Sequence, residues 1–277
     1  MTPAPRDRDT IDAVAAQLGL TVRKQFGNGM FGAALVVGDS GEELILKAQP
    51  DVSLEVTWRT GAATADLMRG RGYPSPHYVD VGATETAVWS LQERLRGSDT
   101  GRLTVGQARK LTALARSHDF DSGSRRPWRE EAVAACQAWL TGSALVENDR
   151  LAAIIERGAD AEMFETTVVH GDFHHRNVLV DGDTVTGVFD WEIAGPGDWR
   201  FDLAMLLFAC LMYPAFSEPS ATIVVADALR DAAPDDVSSF LLACQVLRML
   251  SLTAAFQPDK VDAFGAQMMN ALDAWLR

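Results

Sequence analysis

The sequence predicts an α+β fold in two parts, a strand-rich N-terminal part with one long helix and a mostly helical C-terminal part. In the first third of the chain, short apolar segments alternate with turns that contain glycine or proline, which is typical of an antiparallel sheet. After residue 95 the apolar residues recur with the period of a helix. The 277 residues, 47% of them hydrophobic, suffice for one large domain or two modest lobes. We place the boundary between an N-terminal lobe, residues 1–95, and a C-terminal lobe, residues 96–277.

A glycine-rich turn joins two of the predicted N-terminal strands. Gly27, Gly29 and Gly32 match the pattern Gly-x-Gly-x-x-Gly. A dinucleotide-binding turn with this pattern would be followed by a helix, whereas here a strand follows. We therefore interpret the turn as a flap over nucleotide phosphates. The N-terminal pattern as a whole predicts helices Ile11–Leu18 and Leu54–Arg69, and strands Leu20–Phe26, Ala33–Val37, Leu44–Lys47, His77–Val81 and Thr86–Leu91.

Lys47 closes an apolar strand, where a lysine is costly unless it is paired. A phosphate partner is therefore reasonable, and Lys47 is the candidate contact to the α- and β-phosphates. Glu55 is the only glutamate of the next predicted helix and is the candidate partner that orients this lysine. Asp66, near the end of that helix, is an alternative.

The C-terminal part is predicted to be helical on both sides of one β-like segment. Its longest apolar run, Leu203–Met212, is too short to span a bilayer and predicts a buried helix instead. Three widely spaced cysteines in apolar contexts predict free, buried thiols and a cytoplasmic protein. Met1–Thr10 is polar and shows no signal peptide. The predicted helices are Val105–Ser117, Glu130–Leu140, Ala144–Arg157, Phe201–Met212, Ala221–Leu229, Val237–Ala255 and Val261–Leu276.

The candidate catalytic residues lie in the β-like segment. Asp172 precedes Asn177 by five residues, and Asp190 follows thirteen residues later. This is the spacing of a kinase catalytic loop and its metal-binding aspartate. Phosphoryl transfer needs a carboxylate to orient and deprotonate the attacking hydroxyl, and Mg²⁺ prefers carboxylate and amide oxygens. Asp172 is therefore the candidate base, and Asn177 and Asp190 are the candidate metal ligands.

A predicted hairpin connects these two metal ligands. Strands Asn177–Val180 and Thr184–Phe189 flank the turn Asp181-Gly-Asp183, and such a hairpin brings Asn177 and Asp190 back together. The alternative is a metal-hydrolase site built from His170, His174 and His175. No cysteine lies near enough to complete a zinc site. We expect His170 to brace the loop through a hydrogen bond from its side chain to the backbone.

The motifs His170-Gly-Asp-Phe-His, Phe189-Asp-Trp-Glu and Gly195-Pro-Gly-Asp-Trp-Arg-Phe-Asp-Leu-Ala closely resemble the aminoglycoside phosphotransferase family. The resemblance is strong over Thr167–Ala204 and looser elsewhere. It implies a bilobal protein-kinase-like fold and an enzyme that transfers the γ-phosphate of ATP or GTP, with Mg²⁺, to a small-molecule hydroxyl. Trp191, after the second aspartate, favours a small-molecule kinase over a protein kinase.

The resemblance also implies roles for residues outside the loop. Backbone around Gln92, Glu93 and Leu95 would connect the lobes and bind the adenine edge. The glutamate that orients the lysine usually lies later on its helix, about where this sequence has Thr60. Asp202 matches a position that braces the catalytic loop.

The formal charge of −13 disfavours nucleic acid as a partner and suits a cationic substrate, or reflects solubility alone. We expect an aminoglycoside or a basic peptide antibiotic as acceptor, with Glu192 and His174 as candidate contacts, in a cytoplasmic monomer or weak dimer without a membrane partner. Alternatives are a kinase for choline, homoserine or a sugar, a macrolide kinase, a nucleotide-binding regulator and a metal-dependent hydrolase. Eight acidic residues against four basic ones in Leu211–Arg277 support the cationic acceptor.

Overall fold

A computed structural model describes residues 5–26, 32–142 and 148–276. The chain forms two compact units and crosses between them more than once, so that the segment carrying Asp190 belongs to the first unit. The first unit contains the chain up to Asp99 together with Val178–Asp181 and Val185–Gly195, and the second contains Thr100–Asn177, Gly182–Thr184 and the chain from Pro196 onward.

The first unit is built on an antiparallel sheet, as the sequence predicted. Its strands β1 to β5 lie in the order β1-β2-β3-β5-β4, and each observed strand lies within three residues of its predicted bounds. The strands are β1 (Thr21–Phe26), β2 (Gly32–Val37), β3 (Glu43–Gln49), β4 (Tyr78–Ala83) and β5 (Val88–Glu93).

Two helices supply the apolar partners of this sheet. Helix α1 (Pro5–Gln17) contributes Ile11 and Val14 to a core cluster that also contains Val36 and Leu46 from the strands. Helix α2 (Glu55–Gly70) packs against β4 and β5, and its buried residues Trp58, Ala62, Ala65 and Met68 recur every three or four positions. The helical period that predicted α2 is thus the period of its buried face.

The hairpin between the candidate metal ligands is confirmed. Strands β8 (Val178–Asp181) and β9 (Thr184–Val188) pair beside the short β6 (Ser98–Asp99). Gly182 lies in the turn with φ of 59°, a left-handed conformation that glycine adopts without cost. A second short sheet pairs β7 (Thr167–Val169) with β10 (Gly195–Gly197).

The second unit is a group of packed helices around α6, of which nearly every residue is buried. Helices α7, α8, α9 and α3 all contact α6, and α5 packs along α8. Cys136, Cys210 and Cys244 are free and buried, as predicted. The helices are α3 (Val105–Arg116), α4 (Trp128–Gly142), α5 (Asn148–Ala159), α6 (Arg200–Met212), α7 (Pro219–Ala232), α8 (Asp235–Phe256) and α9 (Val261–Leu276).

Within the described part of the chain, α8 is the one helix long and apolar enough to cross a membrane by length and composition. Of its apolar stretch Asp235–Ala255, 72% is buried inside the protein. Its partners α4, α5, α6 and α9 account for this burial, which is typical of a core helix.

The contact between α5 and α8 depends on a glycine. A Cβ atom at Gly158 would lie 2.3 Å from the Cβ of Phe240, so Gly158→Ala should lower the free energy of unfolding by about 1–3 kcal/mol through overpacking. A urea titration followed by circular dichroism measures this. Gly70→Ala is the control, because nothing lies within 4 Å of its added Cβ and alanine favours the helix. Equal destabilisation by the two variants would contradict the packing argument.

Candidate active site

Lys47 lies on β3 of the first unit among polar side chains from two neighbouring strands. Lys47 is paired with Ser90 of β5, and Gln92 of β5 is paired with Tyr78 of β4. Directly opposed residues share a face of the sheet, as do residues two apart on one strand. The strand register therefore places Lys47, Ser90, Gln92 and Tyr78 on the same face.

Glu192 is the acceptor that these side chains share. Its Oε2 lies 2.8 Å from Lys47 Nζ, while Oε1 accepts from Gln92 Nε2 at 2.7 Å and from the Tyr78 hydroxyl at 3.3 Å. Ser90 Oγ lies 3.4 Å from the same oxygen. Only 3% of Glu192 is exposed. Its carboxylate is thus the buried partner of Lys47, instead of lying where a substrate could reach it.

Asp190 is the second carboxylate on Lys47, through Oδ1. Its φ of 70° makes it the one non-glycine residue with positive φ in the described residues, in a conformation that aspartate tolerates better than most residues. Between the two carboxylates, Trp191 is fully buried and its Nε1 donates to the Val188 carbonyl at 2.8 Å. The short sequence Asp190-Trp-Glu192 therefore directs two carboxylates to one ammonium and an indole to the core.

Electrostatics keep this lysine charged. Burial alone would lower the pKa of Lys47, but Asp190 and Glu192 outweigh it and raise that pKa above its usual range. Burial and the charge of Glu192 raise the pKa of Tyr78 well above its usual value, so its hydroxyl stays a donor. Lys47 therefore offers a permanent positive charge, as a phosphate contact requires.

The other residues predicted to contact the nucleotide differ in their burial and in their partners. Glu55 pairs with Arg59 on its own helix at 2.7 Å, while Lys47 is held by Asp190 and Glu192. Gln92 is buried with its amide on Glu192. Glu93 is exposed at the end of β5, Leu95 is half-buried near Gly187, and Gly32 begins β2; Gly27 and Gly29 lie outside the described residues.

In the second unit, Asp172 and Asn177 meet across one loop. Asn177 Nδ2 donates to Asp172 Oδ2 at 2.8 Å and to the Asp172 carbonyl at 2.9 Å. The amide oxygen of Asn177 is then the atom that could bind a metal ion. The spacing of five residues thus produces a direct contact between the candidate base and one candidate ligand.

A histidine and an arginine adjoin the Asp172 carboxylate. His174 Nε2 lies 3.5 Å from Oδ2, and Arg248 Nη2 lies 3.7 Å from Oδ1. Burial would raise the pKa of Asp172, but His174, Arg248 and His170 lower it well below its usual value. Asp172 is therefore ionised at neutral pH. Sequence reasoning missed Arg248, although a single arginine in the apolar helix α8 is itself a signal that it has a partner.

Asp202 holds the loop from within the core. It is fully buried at the start of α6 and accepts from the backbone N–H groups of His170 at 2.8 Å and Gly171 at 2.9 Å. His118 Nδ1 lies 2.9 Å from the same carboxylate. The expected role of His170 is confirmed, because its Nδ1 accepts the backbone N–H of Asp172 at 3.2 Å.

The histidines near Asp172 do not form a metal cluster with other ligating side chains in the described part of the chain. In residues 5–26, 32–142 and 148–276, no group of three or more His, Cys, Asp or Glu side chains could hold a metal ion. His175 is buried, and burial together with the charges of His174 and Arg176 lowers its pKa to about 4. The candidate ligands Asn177 and Asp190 carry amide and carboxylate oxygens, the type of donor that Mg²⁺ prefers.

Comparison with known proteins shows the family. Residues 24–237 match the model of the phosphotransferase enzyme family. Since this match covers more than half of the chain, the protein belongs to that family.

Individual relatives differ in their acceptors. A homoserine kinase from Methylobacterium nodulans is 31% identical over 201 residues, which cover 64% of this chain and 61% of that protein. A thermostable mutant of an aminoglycoside phosphotransferase, solved with AMP-PNP and hygromycin B, superposes with a TM-score of 0.68 at 18% identity, covering 96% and 97% of the two chains. A macrolide 2'-phosphotransferase from Brachybacterium faecium gives 0.59 at 17%, covering 93% and 97%. These structures confirm the predicted kinase-like fold.

Replacing Asp202 tests the bracing of the loop. In Asp202→Asn, the new side-chain amide N–H group would face the N–H donors that the carboxylate accepts from, and the buried charge would be lost. The free energy of unfolding should therefore fall by about 3 kcal/mol. Asp231→Asn is the control, because Asp231 is exposed and lies 3.8 Å from Arg116; it should change stability by less than about 0.5 kcal/mol. Urea unfolding measures both variants, and a near-neutral Asp202→Asn would show that the loop does not depend on this carboxylate.

Proposed function

We propose that this protein transfers the γ-phosphoryl group of ATP or GTP to a hydroxyl group of a small molecule. The observation that carries the proposal is the loop in which ionised Asp172 contacts Asn177, in a chain of the phosphotransferase enzyme family. Such a loop suits phosphoryl transfer, where positioning and charge stabilisation provide most of the rate enhancement. Because Asp172, Asn177 and Asp190 are all present, we expect the protein to catalyse transfer and not only to bind a nucleotide.

Asp172 orients the acceptor hydroxyl and receives its proton. The hydroxyl oxygen forms a bond to the γ-phosphorus, the bond from that phosphorus to the bridging oxygen breaks, and the nucleoside diphosphate leaves. With a pKa well below its usual value, Asp172 acts first as an ionised hydrogen-bond acceptor that aligns the hydroxyl. It takes the proton only as the new bond develops.

The remaining candidate residues bind the nucleotide. Lys47 contacts the phosphates through its permanent charge, and backbone near Gln92 binds the base. Asn177 and Asp190 would hold Mg²⁺, which neutralises charge on the phosphates when it is bound. Glu192 orients Lys47, in place of Glu55.

Two observations support different acceptors. The net charge of −13 and the fold shared with aminoglycoside phosphotransferases support a cationic antibiotic and a role in antibiotic resistance. The 31% identity to a homoserine kinase supports a small metabolic alcohol. In either case we place the enzyme in the cytoplasm, where nucleoside triphosphates occur and thiols stay reduced.

A coupled assay of nucleoside diphosphate release tests the function. Mg-ATP and Mg-GTP are each combined with aminoglycosides, basic peptide antibiotics, macrolides, choline and homoserine. Stimulation by an antibiotic supports the resistance role, and stimulation by a metabolite alone supports a metabolic kinase. Tight nucleotide binding without stimulation by any compound would favour a regulator over an enzyme.

Asp172→Asn should lower kcat by about 10²–10⁴-fold, because the amide cannot accept the proton. Nucleotide affinity should stay within about twofold, since the base does not hold the nucleotide. Steady-state kinetics and calorimetry measure the two quantities. Asp181→Asn, at an exposed position at the end of β8, is the matched control. Near-normal turnover of Asp172→Asn would remove Asp172 from the role of base.

Asp190→Asn should weaken Mg-nucleotide binding by at least about tenfold while preserving the fold, because asparagine also tolerates positive φ. Calorimetric titration of Mg-AMP-PNP measures this affinity, and Asp39→Asn in an exposed turn is the control. If Asp190→Asn binds Mg-AMP-PNP like the parent protein, Asp190 is not a metal ligand.

A further inference from the structure

A cavity of about 330 Å³ lies between α4 and α8 in the second unit. Arg248 of α8 lines this cavity and also reaches the catalytic loop. Its Nη1 donates to the Gly171 carbonyl at 2.6 Å, and its Nη2 lies 3.7 Å from Asp172 Oδ1. One side chain therefore connects the cavity wall to the candidate base. The volume falls at the lower end of the roughly 300–1,000 Å³ of small-molecule sites.

The lining of this cavity is largely apolar. Trp128 and Phe201 contact edge to face, with ring centroids 5.0 Å apart, and Trp139, Leu247 and Leu252 extend the surface. Aromatic and aliphatic walls with a few polar groups are typical of sites that bind an apolar body and orient it by a polar end.

The charges of the lining do not suit a polycation. Glu131 is the one carboxylate among the described lining residues, and its Oε2 is already bound by Arg126 Nε at 2.6 Å. With Arg248, the lining carries two arginines and one glutamate. Burying several ammonium groups here without free carboxylates would cost far more than the contacts return.

The acidic residues near the C-terminus lie elsewhere. None of the eight in Leu211–Arg277 lines this cavity. Glu218 accepts the backbone N–H of Val105, Asp231 lies near Arg116, and Asp273 pairs with Arg150. The acidic composition of this segment is therefore not the charge that an acceptor meets in the cavity.

We propose that this cavity binds the phosphate acceptor, and that the acceptor is an alcohol with a mostly apolar body and no net positive charge. The inference rests on the proposed function, since it takes Asp172 as the base. It favours a compact, uncharged or weakly acidic hydroxyl compound over an aminoglycoside or a basic peptide. The hydroxyl end lies toward Asp172 and Arg248, and the apolar body lies against Trp128, Phe201 and Leu247.

The test uses two exposed alanines of the same helix. Ala135 lines the cavity and Ala138 does not, so Ala135→Trp fills the site and Ala138→Trp is the matched control. The probe is 1-anilinonaphthalene-8-sulfonate, an aromatic compound with one negative charge, and its binding is followed by fluorescence. Ala135→Trp should weaken its binding at least tenfold, and Ala138→Trp should change it by less than twofold. 3-Phenyl-1-propanol should displace the probe from the parent protein, and hygromycin B should not.

Equal affinities of the two tryptophan variants for the probe, or its displacement by hygromycin B, would overturn the proposal. For whichever acceptor shows turnover that depends on Asp172, Ala135→Trp should raise KM at least tenfold, while an unchanged KM would place the acceptor elsewhere. Failure of the proposed function is seen separately, because binding of the probe requires neither nucleotide nor Asp172. Diphosphate release that does not depend on Asp172 would reject the kinase mechanism and leave the result for the probe unaffected.

Discussion

The first unit depends on the requirement that a buried ammonium be surrounded by negative charge. Lys47 meets two carboxylates, the partly exposed Asp190 and the buried Glu192. Tyr78, Ser90 and Gln92 donate to the buried Glu192, and the strand register is what brings them together. In the proposed reaction, phosphate oxygens would take the place of Asp190 on the lysine while Glu192 keeps it oriented, which leaves the Asp190 carboxylate for the metal ion.

In the second unit the buried group is a carboxylate, which needs hydrogen-bond donors around it. This is Asp202, and its donors are mostly backbone N–H groups of the loop that carries Asp172. Satisfying one buried charge thereby fixes the path of the chain at His170 and Gly171. Asn177, five residues beyond Asp172, completes the loop by donating to the carbonyl oxygen and to one carboxylate oxygen of Asp172. The loop is therefore held both by the core helix α6, through Asp202, and by hydrogen bonds between its own residues.

The sequence predicted those parts of the site whose members are close in the chain. Asp172 and Asn177 belong to one loop, so their spacing alone indicates contact, and the hairpin that follows is signalled by its glycine turn. The partner of Lys47 could not be found in this way. Local spacing pointed to Glu55 on the next helix, whereas the partners lie 143 and 145 residues away and are brought in by tertiary packing. Pairing over that distance leaves no local pattern, although the cost of an unpaired lysine did indicate that a partner must exist.

The charge of the acceptor could not be predicted from the composition of the chain. A net charge of −13 describes the whole surface and acts over a Debye length, where it influences encounter and solubility. Binding is decided by the few groups that a ligand touches, and the cavity proposed for the acceptor is lined mainly by aromatic and aliphatic side chains, with two arginines and one glutamate. Arg248 takes part in both sites, since together with His174 it lowers the pKa of Asp172 and it also lines the cavity. A positively charged acceptor bound close to the Arg248 guanidinium would be repelled by it. It would also weaken the interaction between Arg248 and Asp172.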